Sequence, residues 1–197
     1  MKACNRLMSL VLICGLFAWA ASAFGEDEGL GELVSQAAPK GGSQIIPPGQ
    51  FAMVAKYANQ FLSTPPGGMR TIFAETLMDG IDDPNLADEL GDFFLVDVRP
   101  TAEYCFDTVP GAINIPMNEL ATPENLAKLP TDKPILLICN TGHTASISTA
   151  VLGVLGYDVW TLRFGMMGWR AATKAKIWSP KYTQVINGAG YPTQKCQ

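Results

Sequence analysis

The chain has 197 residues, of which 14 are basic and 18 acidic, and its formal net charge is −4. This charge balance excludes the broad basic surface that nucleic-acid binding requires. The length suits a single domain with terminal extensions.

The first 23 residues have the pattern of a secretory signal peptide. Lys2 and Arg6 precede an apolar run over 7–20, and Ala21-Ser22-Ala23 offers small residues at a cleavage site. We therefore expect a secreted or periplasmic protein that begins near Phe24, with an uncleaved membrane anchor as the alternative. Loss of this leader would leave 12 basic and 18 acidic residues.

The cysteines bear on the chemistry because their number becomes odd after export. Of the 5 cysteines, Cys4 and Cys14 lie in the leader, so Cys105, Cys139 and Cys196 remain. In an oxidising compartment, at least one of the three thiols is then free or paired outside the chain. A Cys105–Cys196 bridge would leave Cys139 free, but the sequence does not establish that pairing.

The region before the main domain divides into two parts. Residues 24–50 are rich in Gly, Ala, Ser and Pro and are interpreted as a flexible tether. Phe51, Val54, Ala58 and Phe61 share one helical face, which predicts a helical extension within 51–70. Further short helices are predicted over 72–78 and from Asp82.

Short apolar runs alternate with helical patterns through the rest of the chain. Strands are predicted over 93–96, 112–115, 135–139 and 159–162. Helices are predicted over 117–129, with an interruption at Pro123, and from Thr144 to Gly156. This alternation predicts an α/β fold with a parallel sheet, whose ligand lies beyond the carboxyl ends of the strands.

Cys139 lies at such a strand end and is the candidate nucleophile. A tight loop leads from it into the following helix, and the backbone N–H groups of such a loop stabilise a thiolate. The alternative is an inert structural cysteine, because free cysteines are commonly buried. His143 is the only histidine of the chain. Its ring would stabilise a thiolate further if it were charged, whereas the alternative is a solvent-exposed or backbone-bonded ring.

Several groups of residues together resemble the rhodanese-like domain family. They are Asp97-Val98-Arg99 with Glu103-Tyr104, Val109-Pro110-Gly111-Ala112-Ile113-Asn114-Ile115-Pro116, Cys139-x-x-Gly142, Leu155-Gly156-Tyr157 and Gly165-x-x-Gly168-Trp169. The resemblance covers about residues 71–178 and leaves 179–197 as a C-terminal tail. It implies a central parallel sheet with helices on both faces.

The same resemblance implies sulfurtransferase chemistry. A persulfide on Cys139 would carry sulfane sulfur from a donor such as thiosulfate or polysulfide to a thiol or cyanide. The substrate would bind in the active loop that follows the cysteine, which consists of Asn140, Thr141, Gly142, His143, Thr144 and Ala145. The expected partners are a small sulfur-containing anion or a thiol acceptor, including an exported protein thiol.

Two positions depart from the family pattern. Thr144 stands where the active loop usually carries an arginine, and Thr108 stands where a histidine usually precedes the Val-Pro-Gly-Ala turn. Both changes remove positive charge from the expected site. A non-catalytic sulfur carrier or anion-binding module is therefore the alternative to an enzyme. A phosphatase of the related kind is disfavoured, because residues 140–146 contain no arginine to bind phosphate.

The remaining candidate residues have structural alternatives. Asp97 and Arg99 are predicted to form an ion pair that positions the loop rather than to act as acid and base. Residues 165–169 offer either a polarisable wall for a sulfur ligand or close packing in the core. We expect no cofactor and no bound metal, because one histidine beside one cysteine gives too few ligands for a closed zinc site.

Overall fold

The structure is a computed structural model that describes residues 46–64, 70–83, 86–170 and 188–196. The predicted signal peptide and most of the tether lie outside the described residues. The chain divides into two compact units, Met1–Ala55 and Lys56–Gln197. No helix among the described residues has the length and apolar character needed to cross a bilayer.

A five-stranded, entirely parallel sheet forms the centre of the second unit. Its strands are β1 (Thr71–Ile72), β2 (Phe94–Asp97), β3 (Ile113–Asn114), β4 (Ile135–Ile138) and β5 (Val159–Leu162). Their order across the sheet is β1-β5-β4-β2-β3, which places β4 in the middle. The predicted α/β class with a parallel sheet is confirmed.

The central strand is apolar because both faces of the sheet are covered. All four residues of β4 are buried. Ile135 and Leu137 pack in one apolar cluster together with Cys139, whereas Leu136 and Ile138 pack in the cluster on the opposite face. This alternation aims the Cys139 side chain toward the same face as Ile135 and Leu137, which is the face that the helix after the active loop covers.

The helices differ more from the prediction than the strands do. They are α1 (Pro48–Ser63), α2 (Thr101–Phe106), α3 (Pro123–Leu126), α4 (His143–Val154) and α5 (Gly165–Trp169), with single 3-10 turns at Thr76–Met78, Leu90–Asp92 and Met117–Glu119. The predicted helices α1 and α4 are confirmed. Within the second unit, the Phe61 ring of α1 packs against Gly153 of α4.

Three predicted helices were wrong in their extent. The helix over 72–78 is a strand at Thr71–Ile72, which pairs with β5, followed by the 3-10 turn. No helix starts at Asp82, and residues 84–85 lie outside the described residues. The region 117–129 contains a 3-10 turn and the separate helix α3, because Pro123 starts a helix at its first position rather than interrupting one.

The end of the chain is fastened to the domain. Thr108 and Gln194 form an antiparallel bridge, and Cys105 of α2 forms a disulfide with Cys196. The Trp169 indole donates to the carbonyl of Pro192 at 2.7 Å. Within the predicted tail 179–197, residues 188–196 therefore belong to the folded unit. Cys139 is the only free cysteine among the described residues.

Candidate active site

Cys139 directly follows β4, and its sulfur points into the active loop. The side chain is 1% exposed. Sγ accepts hydrogen bonds from the backbone N–H groups of Gly142 at 3.1 Å and Ala145 at 3.4 Å. Burial in an apolar cluster alone would fit an inert cysteine, but two N–H donors aimed at the sulfur add the groups that stabilise an anion there.

The loop takes this shape because glycine occupies two positions at which the loop backbone and the backbone at the start of α5 come very close together. Gly142 has φ +85°, and a Cβ there would lie 3.1 Å from the backbone nitrogen of Phe164. Gly165 has φ +52°, and a Cβ there would lie 2.1 Å from the carbonyl oxygen of Cys139. A side chain at either position would therefore push the loop away from α5.

Helix α5 holds Cys139 and the first loop residue through their backbone. The N–H groups of Met166 and Met167 donate to the carbonyl oxygens of Cys139 and Asn140 at 2.8 and 2.9 Å. Every residue of α5 is buried. The segment 165–169 thus packs closely beneath the loop, and its methionine side chains belong to the core.

Asp97 and Arg99 form a buried ion pair beside the loop. Asp97 is fully buried, and its carboxylate accepts from the Arg99 guanidinium at 2.7 Å and from its backbone N–H at 2.9 Å. The Thr108 hydroxyl donates to the same carboxylate at 2.7 Å. Position 108 therefore supports Asp97 from within the core, where Thr108 is fully buried.

The guanidinium of Arg99 connects this pair to the active loop. It donates to the Asn140 side-chain oxygen at 3.2 Å and to the carboxylate of Asp107 at 3.3 Å. Burial alone lowers the pKa of Arg99, but hydrogen bonds and Coulombic attraction, first from Asp97 and then from Asp107, outweigh it and raise that pKa above its ordinary value. Arg99 is thus a permanent cation whose charge is already neutralised.

Other polar residues extend this network beyond the sequence-predicted site. Arg170 donates to Asp107 at 2.6 Å, and the side-chain amide of Asn140 donates to Glu103. Glu103 is part of the Glu103-Tyr104 pair that resembles the family pattern, so the sequence did contain a signal for this residue. Asp107 and Arg170 lie 63 positions apart, and no local pattern in the sequence joins them.

The structure brings the predicted loop residues around Cys139 but exposes several of their side chains. Thr141, His143 and Thr144 are exposed, whereas Gly142 and Ala145 are buried. The exposed position of His143 at the start of α4 fits the solvent-exposed alternative for its ring.

A cleft of about 720 Å³ opens beside the loop, at the carboxyl ends of β2, β3 and β4. Asn140 and Thr144 line it on the loop side. Its opposite walls come from the segments that follow β2 and β3. Cys139 itself is not among the described residues that line this cleft, which we call the acceptor cleft.

Arg163 lies at the end of β5, which is the strand on the other side of β4 from the acceptor cleft. Its guanidinium stacks 4.4 Å from the ring centroid of Phe73 and 5.5 Å from that of Phe164. It is not among the described residues that line the acceptor cleft.

One group of side chains has the composition of a metal site. The carboxylates of Asp82, Asp88 and Asp92 lie within 4.8 Å of one another. Asp88 and Asp92 already accept backbone N–H groups of Asp83 and Glu89. None of the three is among the described residues that line the acceptor cleft.

Comparison with known proteins identifies the family. The model of the rhodanese-like domain matches residues 73–172, about half of the chain, and the chain belongs to this family. It is 32% identical over 90 residues to the putative sulfurtransferase YtwF of Bacillus subtilis, which covers 46% of this chain and 84% of that protein. It is also 30% identical over 97 residues to a sulfurtransferase of Allochromatium vinosum, covering 47% and 89%.

A further relative is matched over less than half of its own length. The HTH-type transcriptional regulator Rv0324 of Mycobacterium tuberculosis is 42% identical over 86 residues, which cover 43% of this chain but 37% of the regulator. The family and the sulfurtransferase relatives together support sulfur transfer as the general activity of the domain.

Proposed function

We propose that this protein is a sulfurtransferase that moves sulfane sulfur through a persulfide on Cys139. The observation that carries this proposal is the pair of backbone N–H groups, from Gly142 and Ala145, that donate to Sγ of a free cysteine. These donors stabilise a thiolate, which is the nucleophilic form of the side chain.

The first step is an attack of the Cys139 thiolate on the outer sulfur of the donor. With thiosulfate, a Cys139–sulfur bond forms, the sulfur–sulfur bond of the donor breaks, and sulfite leaves with the electron pair. The acceptor thiolate or cyanide then attacks the outer sulfur of the persulfide and releases Cys139 as a thiolate. The loop N–H groups can stabilise negative charge on sulfur at each stage.

Thr144 determines which donors the site favours. Thiosulfate carries two negative charges, and a charge-assisted hydrogen bond from an arginine is roughly twice as strong as a neutral bond from a threonine hydroxyl. Arg99 is the one arginine among the described residues that line the cleft, and it is already paired with Asp97 and Asp107. Persulfide and polysulfide donors of lower charge density should therefore be preferred over thiosulfate.

Replacement of Thr144 by arginine tests this account. If a cation at position 144 restores about 2–4 kcal/mol of transition-state stabilisation, Thr144→Arg should raise thiosulfate turnover by roughly thirtyfold to eight-hundredfold. Polysulfide turnover should rise much less. Steady-state kinetics with both donors on wild type and Thr144→Arg measures the difference, and Thr141→Arg is the matched control at a second exposed loop position.

The possible results separate an enzyme from a carrier. Rapid thiosulfate turnover by the wild type, unchanged in Thr144→Arg, would show that another group binds the anion and would contradict the account of the loop. Persulfide formation without turnover for any donor would favour the alternative of a non-catalytic sulfur carrier.

We also propose that the protein acts after export. The sequence pattern of residues 1–23 supports this, and so does the Cys105–Cys196 disulfide, since structural disulfides persist in oxidising compartments. N-terminal sequencing of protein from a secreting host should give a start within about two residues of Phe24. An intact Met1 in the membrane fraction would instead support an uncleaved anchor.

A further inference from the structure

The acceptor cleft differs from a simple anion site in its size. Its volume of about 720 Å³ lies within the range that holds a drug-sized molecule or a short peptide segment, and it is much larger than thiosulfate. Val98, Pro100, Pro116 and Met117 give it apolar walls. Such walls suit an extended segment with some apolar contact surface better than a small, strongly hydrated ion.

The charge of the acceptor cleft also opposes anions. Glu103 and Glu119 line it, and both are exposed. Arg99 is the single basic residue among the described residues that line the cleft, and its guanidinium is 3% exposed and paired with Asp97 and Asp107. The accessible charge of the cleft is therefore negative, and it attracts cationic groups.

The acceptor cleft is continuous with the reacting loop. Asn140, the residue after the nucleophile, lines it and donates a hydrogen bond to Glu103. Thr144, the second residue of α4, lines it as well. A segment that lies in the cleft would thus run beside the active loop, whose Gly142 and Ala145 N–H groups contact the Cys139 sulfur.

We propose that the acceptor cleft binds a basic segment of a partner protein and that a cysteine thiol of this segment takes the sulfur from Cys139. This proposal rests on the proposed function and specifies its acceptor. The partner carries lysine or arginine side chains near its cysteine. These side chains lie against Glu103 and Glu119, and this charge pairing is the basis of recognition. Apolar parts of the segment contact the walls around Pro100 and Pro116.

The transfer step needs no further reactant. The thiolate of the partner attacks the outer sulfur of the Cys139 persulfide and forms a new sulfur–sulfur bond. The bond between this outer sulfur and Cys139 breaks, and its electron pair stays on Cys139 as a thiolate. The proton lost by the partner thiol protonates one of the two sulfur anions that result. One sulfur–sulfur bond forms and one breaks, so the step needs no external oxidant or reductant.

The test uses two cysteine peptides that differ only in the residues beside the cysteine, which are lysines in one and glutamates in the other. Wild-type protein is first loaded with sulfur from polysulfide, and the single-turnover rate of transfer to each peptide is then measured at low ionic strength. Because lysines also increase the thiolate fraction of the peptide itself, the informative quantity is the ratio of the two rates and its change between variants.

Glu119→Gln is the variant of choice, since Glu119 lines the cleft while Glu103 also contacts the loop. We expect the lysine-to-glutamate rate ratio to fall about threefold in Glu119→Gln, the effect of one exposed ion pair. Glu124→Gln removes an exposed carboxylate of α3 that is not among the residues lining the cleft, and it should keep the wild-type ratio. Added salt should also lower the wild-type rate ratio toward the ratio of Glu119→Gln.

Each outcome decides between the two proposals. A ratio that is the same in wild type, Glu119→Gln and Glu124→Gln, with normal persulfide formation, would overturn the assignment of the cleft and leave the proposed function intact. A ratio that falls equally in both variants would show a general effect of net charge and would also overturn the assignment. Absence of sulfur on Cys139 would overturn the proposed function and this inference with it.

Discussion

Cys139→Ser should lose sulfur transfer with every sulfane donor, by about a thousandfold or more relative to wild type. A serine hydroxyl keeps the size of the side chain and can accept the same two N–H groups, but it forms no persulfide. Cys105 and Cys196 are joined in a disulfide and offer no free thiol. Initial rates with polysulfide as donor and a small thiol as acceptor measure the loss.

A matched control shows that this loss is chemical rather than structural. Ser148 is buried in α4, and its hydroxyl has no hydrogen-bond partner in the described part of the chain. Ser148→Ala is therefore a change of similar size in the helix that follows the active loop, and it should retain activity. Substantial turnover in Cys139→Ser would show that sulfur moves by a route that does not use this cysteine.

Asp97→Asn should lower the free energy of unfolding by about 3 kcal/mol, because removal of one partner leaves a buried cation short of its counter-charge. Asp97 is fully buried, and its carboxylate accepts from Arg99 and from Thr108. Arg99 keeps Asp107 as a partner, which limits the loss. Urea unfolding at constant m-value, with the disulfide intact, measures the change.

The pair Arg70–Asp158 supplies the control for this experiment. It is also an ion pair, but the Asp158 side chain is 58% exposed. Asp158→Asn should therefore cost at most about 1 kcal/mol. Equal losses in the two variants would contradict the structural role assigned to the buried pair. A smaller loss for Asp97→Asn than for Asp158→Asn would contradict it more strongly.

The sequence predicts the elements whose residues face an apolar environment throughout. The run 135–138 is such an element, since all four of its residues are buried. The helix after it has an exposed outer face and was predicted from its helical periodicity. The predicted bounds of both elements differ from the observed ones by about one or two residues. The strand at Thr71–Ile72 was missed because only its pairing with β5, far along the chain, makes it a strand. Helix α2 was also missed, because six residues are too few to show helical periodicity.

The candidate site was predictable in its centre and not in its surroundings. Cys139 and the loop glycine follow from a strand, a short loop and a helix in sequence. The contacts of Asn140 could not be predicted, because Arg99, Glu103 and the backbone of Met167 reach it from distant parts of the chain. The charge of the acceptor cleft is equally a tertiary property, since Glu103 and Glu119 follow different strands.

The central claim is that Cys139 itself carries sulfur. Its most direct test is mass spectrometry of the peptide that contains Cys139, after incubation of the native protein with polysulfide. We expect an added mass of one sulfur atom on Cys139 in the wild type, its disappearance after treatment with a thiol, and no such addition in Cys139→Ser. Sulfur found only on Cys105 or Cys196, or no added sulfur at all, would contradict the account.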